Sequence, residues 1–405
     1  MTDAFGDIHG GKLREAAAAL GLEATAMLDF SANVNFLGPT PDVMAAARRA
    51  VDEMAWYPLD PPAPLRRAAA AFLDVPEDQV ILGNGASELI FLLMAHLRPR
   101  QVLIIGPTFT EYERAARAWG AEVDVLWLPE AEDFRLSFRL LDRADVRARI
   151  QKADLVFVCD PNNPTGSSLD REVRDSLLDA AAEAGTVVFV DESFLAFTAE
   201  WPTGSATHSA GWGGAKDPGA TGPGTDTHLV VLHSFTKILA MPGLRVGALV
   251  VSPERAAEIA PRTPPWNINC VAQAAAMTAF VDPHLAPAAP AATAEARATL
   301  ADGLASLRSV ECVLPADANF LCVRLTSPAA GDIAVRLRDQ HGVLVRDLSS
   351  FPGMGPRYLR VAVRASDDNH RLLTAWRTAA GSEEEAEVCV GTGKTAGSAV
   401  GRGML

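Results

Sequence analysis

One lysine in this chain sits in a string suited to nucleophilic chemistry: HSFTKILAMPGLRVG, residues 233–247. An amine partly desolvated in a pocket becomes nucleophilic and condenses with an aldehyde, and Lys237 is the candidate. Ser234 and Thr236 offer hydroxyls, and Arg245 offers a guanidinium fork. Together they suit a single phosphate group. A lysine alone after a strand reads as a surface charge; it is the whole string that argues for more. Upstream, Asp191 ends a very apolar run, in VVFVDESF. A carboxylate is costly to bury there unless it faces a cation. A protonated ring nitrogen would be such a cation, and the carboxylate would keep that ring able to accept electrons. The plainer reading of Asp191 is a helix N-cap.

Three further strings follow apolar runs. In DPNNPTG (160–166), Asn162 or Asn163 could hydrogen-bond a ring oxygen of a cofactor, although Asn, Pro and Gly also make an ordinary tight turn. In GNGASELIF (83–91), the amides of Gly85, Ala86 and Ser87 would open a helix and make an anion seat. In GPTFTEY (106–112), Tyr112 is expected to stack on the cofactor ring, with Phe109 its competitor.

These strings must be positioned by regular elements. Strand candidates fall at 80–82, 102–106, 122–128, 154–160, 186–192, 228–234 and 245–251, with amphipathic helical stretches between them. Apolar runs separated by helices imply crossover connections and an α/β fold with a mostly parallel seven-stranded sheet flanked by helices. Ligands in such sheets sit at the carboxyl ends of the strands, where the motifs above fall. The expected division is an N-terminal arm (1–40), a large domain (41–264), a smaller α/β domain (265–380) and a disordered tail (381–405). A Gly- and Ser-rich stretch at 203–227 reads as a flexible insertion.

Composition narrows the function. The chain has 405 residues, 49% of them hydrophobic, enough for a large core, and a formal net charge of -14 that disfavours nucleic acid and anionic lipid. Its five cysteines are scattered without a CxxC pair, so neither a disulfide frame nor a metal site is expected. The first residues lack a basic stretch followed by an apolar run, and no apolar stretch is long enough to span a bilayer. A cytoplasmic enzyme is expected. GTGKTAG in the tail matches a phosphate loop only superficially, because no strand precedes it.

In order and spacing, from His9 to about Ala380, the motifs resemble the fold-type-I pyridoxal-phosphate enzymes. Within these they resemble the histidinol-phosphate aminotransferase group, and the opening HGGKLREAAAALGL…LDFSANVNFLGP resembles its L-threonine-O-3-phosphate decarboxylase branch. The resemblance implies pyridoxal 5'-phosphate on Lys237, with a small phosphorylated amino acid as substrate. It implies a substrate set of His9, Asn33, Asn162, Arg346 and Arg360, in which Arg360 pairs with the α-carboxylate and Arg346 meets the phosphate. It further implies a homodimer in which Tyr57, in WYP, reaches the neighbour's cofactor phosphate. Phe194 stands where the aminotransferases of the group carry a tyrosine whose hydroxyl reaches the cofactor ring. The activity implied is decarboxylation of L-threonine O-3-phosphate to (R)-1-amino-2-propanol O-2-phosphate in cobalamin synthesis. The rival is transamination of histidinol phosphate. Arg357 and Arg364 are read as ordinary strand-end charges.

Overall fold

The computed structural model describes residues 10–201 and 228–381. His9, Cys389, the stretch at 203–227 and the tail beyond Gly381 lie outside the described residues.

A two-residue strand, β1 (Leu28–Asp29), precedes the main sheet. The sheet consists of β2 (Val80–Gly83), β3 (Gln101–Gly106), β4 (Glu122–Trp127), β5 (Leu155–Cys159), β6 (Val187–Asp191), β7 (Leu229–His233) and β8 (Gly247–Val250). Its order is β2-β8-β7-β6-β5-β3-β4. The central strands are buried along their whole length because helices cover both faces. Alternate residues of β5 enter opposite cores: Val156 and Val158 one, Leu155 and Phe157 the other.

The expected strands all form, and only β8 runs against the rest. Its reversal brings its first residues to the edge where β2 and β7 end, with Gly247 opposite Gly83 and Ala248 opposite His233. Arg245, two residues ahead of Gly247, is thereby delivered to the same edge as Lys237 and Gly85.

A second, antiparallel sheet has the order β12-β13-β10-β9, from β9 (Val310–Val313), β10 (Phe320–Leu325), β12 (Arg346–Asp347) and β13 (Tyr358–Ala362). It packs on a separate core that includes Leu300, Leu304, Val323 and Trp376. The run GVLVRD breaks at Val345 into β11 (Val343–Leu344) and β12, and β11 pairs in parallel with β1. That pairing forms a separate two-stranded sheet, and the amide of Ala362, at the end of β13, ties the N-terminal segment to the second sheet through Phe30 O at 2.8 Å. Among the described residues no helix is long and apolar enough to cross a membrane.

Candidate active site

A cavity of about 1320 Å³ opens at the carboxyl edge of the large sheet and reaches the strands of the second. Gly85 begins the helix Gly85–Leu97 with φ +79°, a conformation that favours glycine. A Cβ there would stand 2.3 Å from Arg245 Nη2, so the absent side chain lets the guanidinium lie against the turn. A Cβ on Gly247 would come within 3.2 Å of Ala86 N, so β8 also passes close to the helix start. Ser234 and Thr236 add hydroxyls whose oxygens are 2.8 Å apart. Ala86, Ser87, Ser234, Thr236 and Arg245 all line this corner, which gathers helix amides, hydroxyls and a cation. Arg245 itself adopts φ +61°, a strained geometry for a residue with a Cβ.

Lys237 follows β7 on a single helical turn, Phe235–Ile238, and is half-buried on the cavity wall. Desolvation pushes its amine down to about 8, aided by the positive charges of Arg360 and Arg245 and opposed by Asp191. Asp191 ends β6 and faces the same cavity, only 4% exposed. Burial raises its carboxyl above the ordinary aspartate range, while hydrogen bonds from Ser193 and Tyr112 oppose that rise. Its Oδ1 accepts from Ser193 N at 2.9 Å and its Oδ2 from the Tyr112 phenol at 2.6 Å.

Two expectations need correction. Tyr112 is fully buried, stacks on Phe157 at 4.9 Å and does not line the cavity. The aromatic that does line it is Phe109, which meets Tyr112 edge-on at 5.6 Å. The physical reason is the helix Glu111–Ala118: its first turn points Tyr112 inward among Phe157 and Phe189, while Phe109 precedes it on the loop. Likewise Asn162 does not line this cavity. Its Nδ2 donates to Pro107 O and to Thr165 Oγ1, both at 3.0 Å, so it ties its own turn to the loop after β3. Asn163 is the residue of the pair that lines the cavity, and its Oδ1 accepts from Arg360 Nη1.

At the opposite end stand the two arginines of the second sheet. Arg346 and Arg360 face one another in register across β12 and β13. Arg360 is 7% exposed, lies over the Phe320 ring, and donates through Nη2 to Ser31 O at 2.7 Å. Burial, reinforced by Arg346, pulls its guanidinium down to about 9. Such a site favours an incoming anion. Asn33 lines the same space, and its buried Oδ1 has no partner. Gly10 is packed so tightly that a Cβ would lie 2.3 Å from Ser31 O. Arg364 also borders the cavity, though it is paired with Asp368 at 2.9 Å and with Asp29 O at 3.2 Å. Phe194 lines the wall, edge-on to Phe320 at 4.9 Å. Tyr57 is 80% exposed, is stacked on Trp266 at 4.6 Å, and does not line the cavity. The contribution of Ser31 escaped sequence reasoning because it acts through its carbonyl, which leaves no trace in side-chain type.

The donor set fits pyridoxal phosphate. A phosphate corner, a desolvated amine, a buried carboxylate and an aromatic wall share one cavity. Fold and site together define a fold-type-I pyridoxal-phosphate-dependent enzyme. The chain belongs to the aminotransferase class I and II family, whose model matches residues 25–375. It is 34% identical over 375 residues to a threonine-phosphate decarboxylase of Salmonella typhimurium, covering 92% of this chain and 96% of that one. It is 31% identical to a histidinol-phosphate aminotransferase of an Anaeromyxobacter species, covering 91% of this chain and 94% of that one. Among solved structures, the histidinol-phosphate aminotransferase of Clostridium acetobutylicum superposes with a TM-score of 0.74 at 26% identity, over 87% of this chain and 98% of that one.

Proposed function

We propose that the protein decarboxylates L-threonine O-3-phosphate to (R)-1-amino-2-propanol O-2-phosphate, as a step in cobalamin synthesis. The observation that carries this reading is the in-register pair Arg346 and Arg360, two guanidinium groups in the cavity that also holds Lys237. A substrate bearing an amine, a carboxylate and a phosphate matches that arrangement. The decarboxylase relative, spanned almost end to end, supports it.

Pyridoxal phosphate held here would supply an aldehyde for the substrate amine and an electron sink for the bonding pair left when carbon dioxide departs. The side chains supply position. Gly85, Ala86, Ser87, Ser234, Thr236 and Arg245 hold the cofactor phosphate. Asp191 would keep a proton on the ring nitrogen, Asn163 would serve the ring oxygen and Phe109 would pack against the ring. Arg360 would hold the α-carboxylate, and that orientation would decide which bond breaks. Arg346 and Asn33 would receive the substrate phosphate, with His9, which lies outside the described residues, as the expected third member. Lys237 anchors the cofactor between turnovers and returns a proton to the substrate α-carbon.

The same reading makes the protein a cytoplasmic homodimer with shared sites. Met54, Trp56, Tyr57 and Leu59 form an exposed apolar run beside Trp266, and a second copy would cover it while Tyr57 reaches that copy's phosphate corner. The boundaries near residues 40 and 264 are the proposed limits of the arm and the large domain.

The aminotransferase relative supports a second reading, transfer of the amino group of histidinol phosphate to 2-oxoglutarate. Purified protein is incubated separately with phosphothreonine, phosphoserine, and histidinol phosphate plus 2-oxoglutarate, and products are identified by mass. Carbon dioxide and aminopropanol phosphate from the first are expected. Glutamate from the third, without carbon dioxide from the first, replaces the proposal with the second reading.

A further inference from the structure

The segment from β1 to Pro39 runs from beside the second sheet to the turn that follows β7 of the large one. At its start, Phe30 N donates to Leu344 O at 2.7 Å, and Ser31 O receives Arg360 Nη2 at 2.7 Å. Four residues further on, Asn35 meets the turn that carries Lys237. Its main-chain amide donates to Lys237 O at 3.0 Å, and its Nδ2 donates to Ile238 O at 2.9 Å. These two carbonyls end the helical turn Phe235–Ile238, and Lys237 O also accepts from Ala240 N at 3.3 Å. The Oδ1 of Asn35 accepts from Leu37 N at 3.1 Å, which fixes which end of the amide faces Ile238. Asn35 is 3% exposed and does not line the cavity, so substrate does not explain it.

We propose that Asn35 is a positioning residue that ties the lysine turn to the Ser31–Arg360 contact, so that filling the carboxylate site is felt at Lys237. The link is short and bonded at both ends. Ser31 is held by Arg360 of one sheet, Asn35 holds two carbonyls of the other, and only Ala32, Asn33 and Val34 separate them. Asparagine suits the task because it donates to Ile238 O and accepts from Leu37 N at once. Alanine keeps only the main-chain bond, and aspartate would set a carboxylate oxygen against a carbonyl oxygen. The inference rests on the reading of Lys237 as the cofactor anchor, not on which reaction follows.

The test uses the cofactor-loaded full chain and the absorbance band of the lysine–cofactor linkage, titrated with pH. The charged groups that face Lys237 are Arg360 from β13, Arg245 ahead of β8 and Asp191 at the end of β6. The probe is 3-phosphoglycerate, which has a carboxylate and a phosphate but no amine. In the unaltered protein its anions should raise the midpoint of the titration. In Asn35→Ala and Asn35→Asp that rise should fall by half or more, and kcat should drop roughly tenfold to a hundredfold. KM should change by less than about threefold, because no substrate contact is removed. Asn35→Ser, which retains a shorter donor, should fall between the extremes and serves if the other variants fold poorly. An unaltered protein whose midpoint ignores 3-phosphoglycerate overturns the proposal. So do folded variants that keep both the rise and kcat. A wild-type preparation with no visible band counts against the Lys237 reading instead.

Discussion

The Tyr112 phenol donates to Asp191 Oδ2 across 2.6 Å, beneath the cavity and out of reach of any substrate. Burial and the neighbouring carboxylate push the phenol well above its ordinary range, so it stays protonated and serves as a fixed donor. Asp191 in turn relies on Ser193 and on that donor to remain a carboxylate at a buried site. Tyr112→Phe keeps the ring stacked on Phe157 and removes only the hydroxyl. We expect a loss of about 1–2 kcal/mol in stability. A fall in kcat of about tenfold should accompany it as the carboxyl rises and holds the ring proton less well. Denaturant unfolding and steady-state rates check the two parts separately.

Lys237 sets a pH dependence. The neutral amine attacks an aldehyde, and the amine is pushed down to about 8 from the ordinary 10.5. Cofactor uptake by the cofactor-free protein should therefore quicken as pH rises through 8 and level off above it. A rise that continues to the ordinary lysine range would contradict the desolvated setting. The stability linkage has the matching sign. Between about 8 and 10.5 the unfolded chain holds the proton more tightly, so the stability of the cofactor-free protein increases with pH in that window.

Gly85→Ala tests the phosphate corner. The new methyl would stand 2.3 Å from Arg245 Nη2, at a φ of +79° that alanine resists. Either the guanidinium retreats or the helix start shifts, and both spoil the phosphate seat. Cofactor affinity measured by equilibrium dialysis should weaken roughly tenfold to a hundredfold, in line with losing one charge-assisted bond.

Phe194→Tyr tests the choice of reaction. The ring lies edge-on to Phe320 on the cavity wall, so a hydroxyl added there gains a route to the cofactor. The ratio of 2-oxo acid to carbon dioxide formed from phosphothreonine should rise. An unchanged ratio in a folded variant would remove Phe194 from the account.

The large sheet was legible because its evidence is local. Runs such as LVFVC and VVFVD are apolar at every position, which marks strands covered on both faces, and glycine- and asparagine-rich strings follow their ends. Lys237 and Gly85 could be placed near one another once their strands were taken to share a direction, but Arg245, which precedes its strand, could not. The antiparallel course of β8 was not written in its residues, yet it is what brings Arg245 to the correct edge.

By itself, the sequence determined the strands, the edge at which chemistry gathers, and the lysine around which it gathers. Tertiary structure alone decided which member of a neighbouring pair faces the cavity: Phe109 rather than Tyr112, Asn163 rather than Asn162. It also decided that a carbonyl of the arm would hold Arg360. The reason is geometric. Hydrophobic periodicity averages over many residues and reports a whole element. The aim of one side chain in a loop depends on a few dihedral angles, and these are settled only when distant segments pack against it.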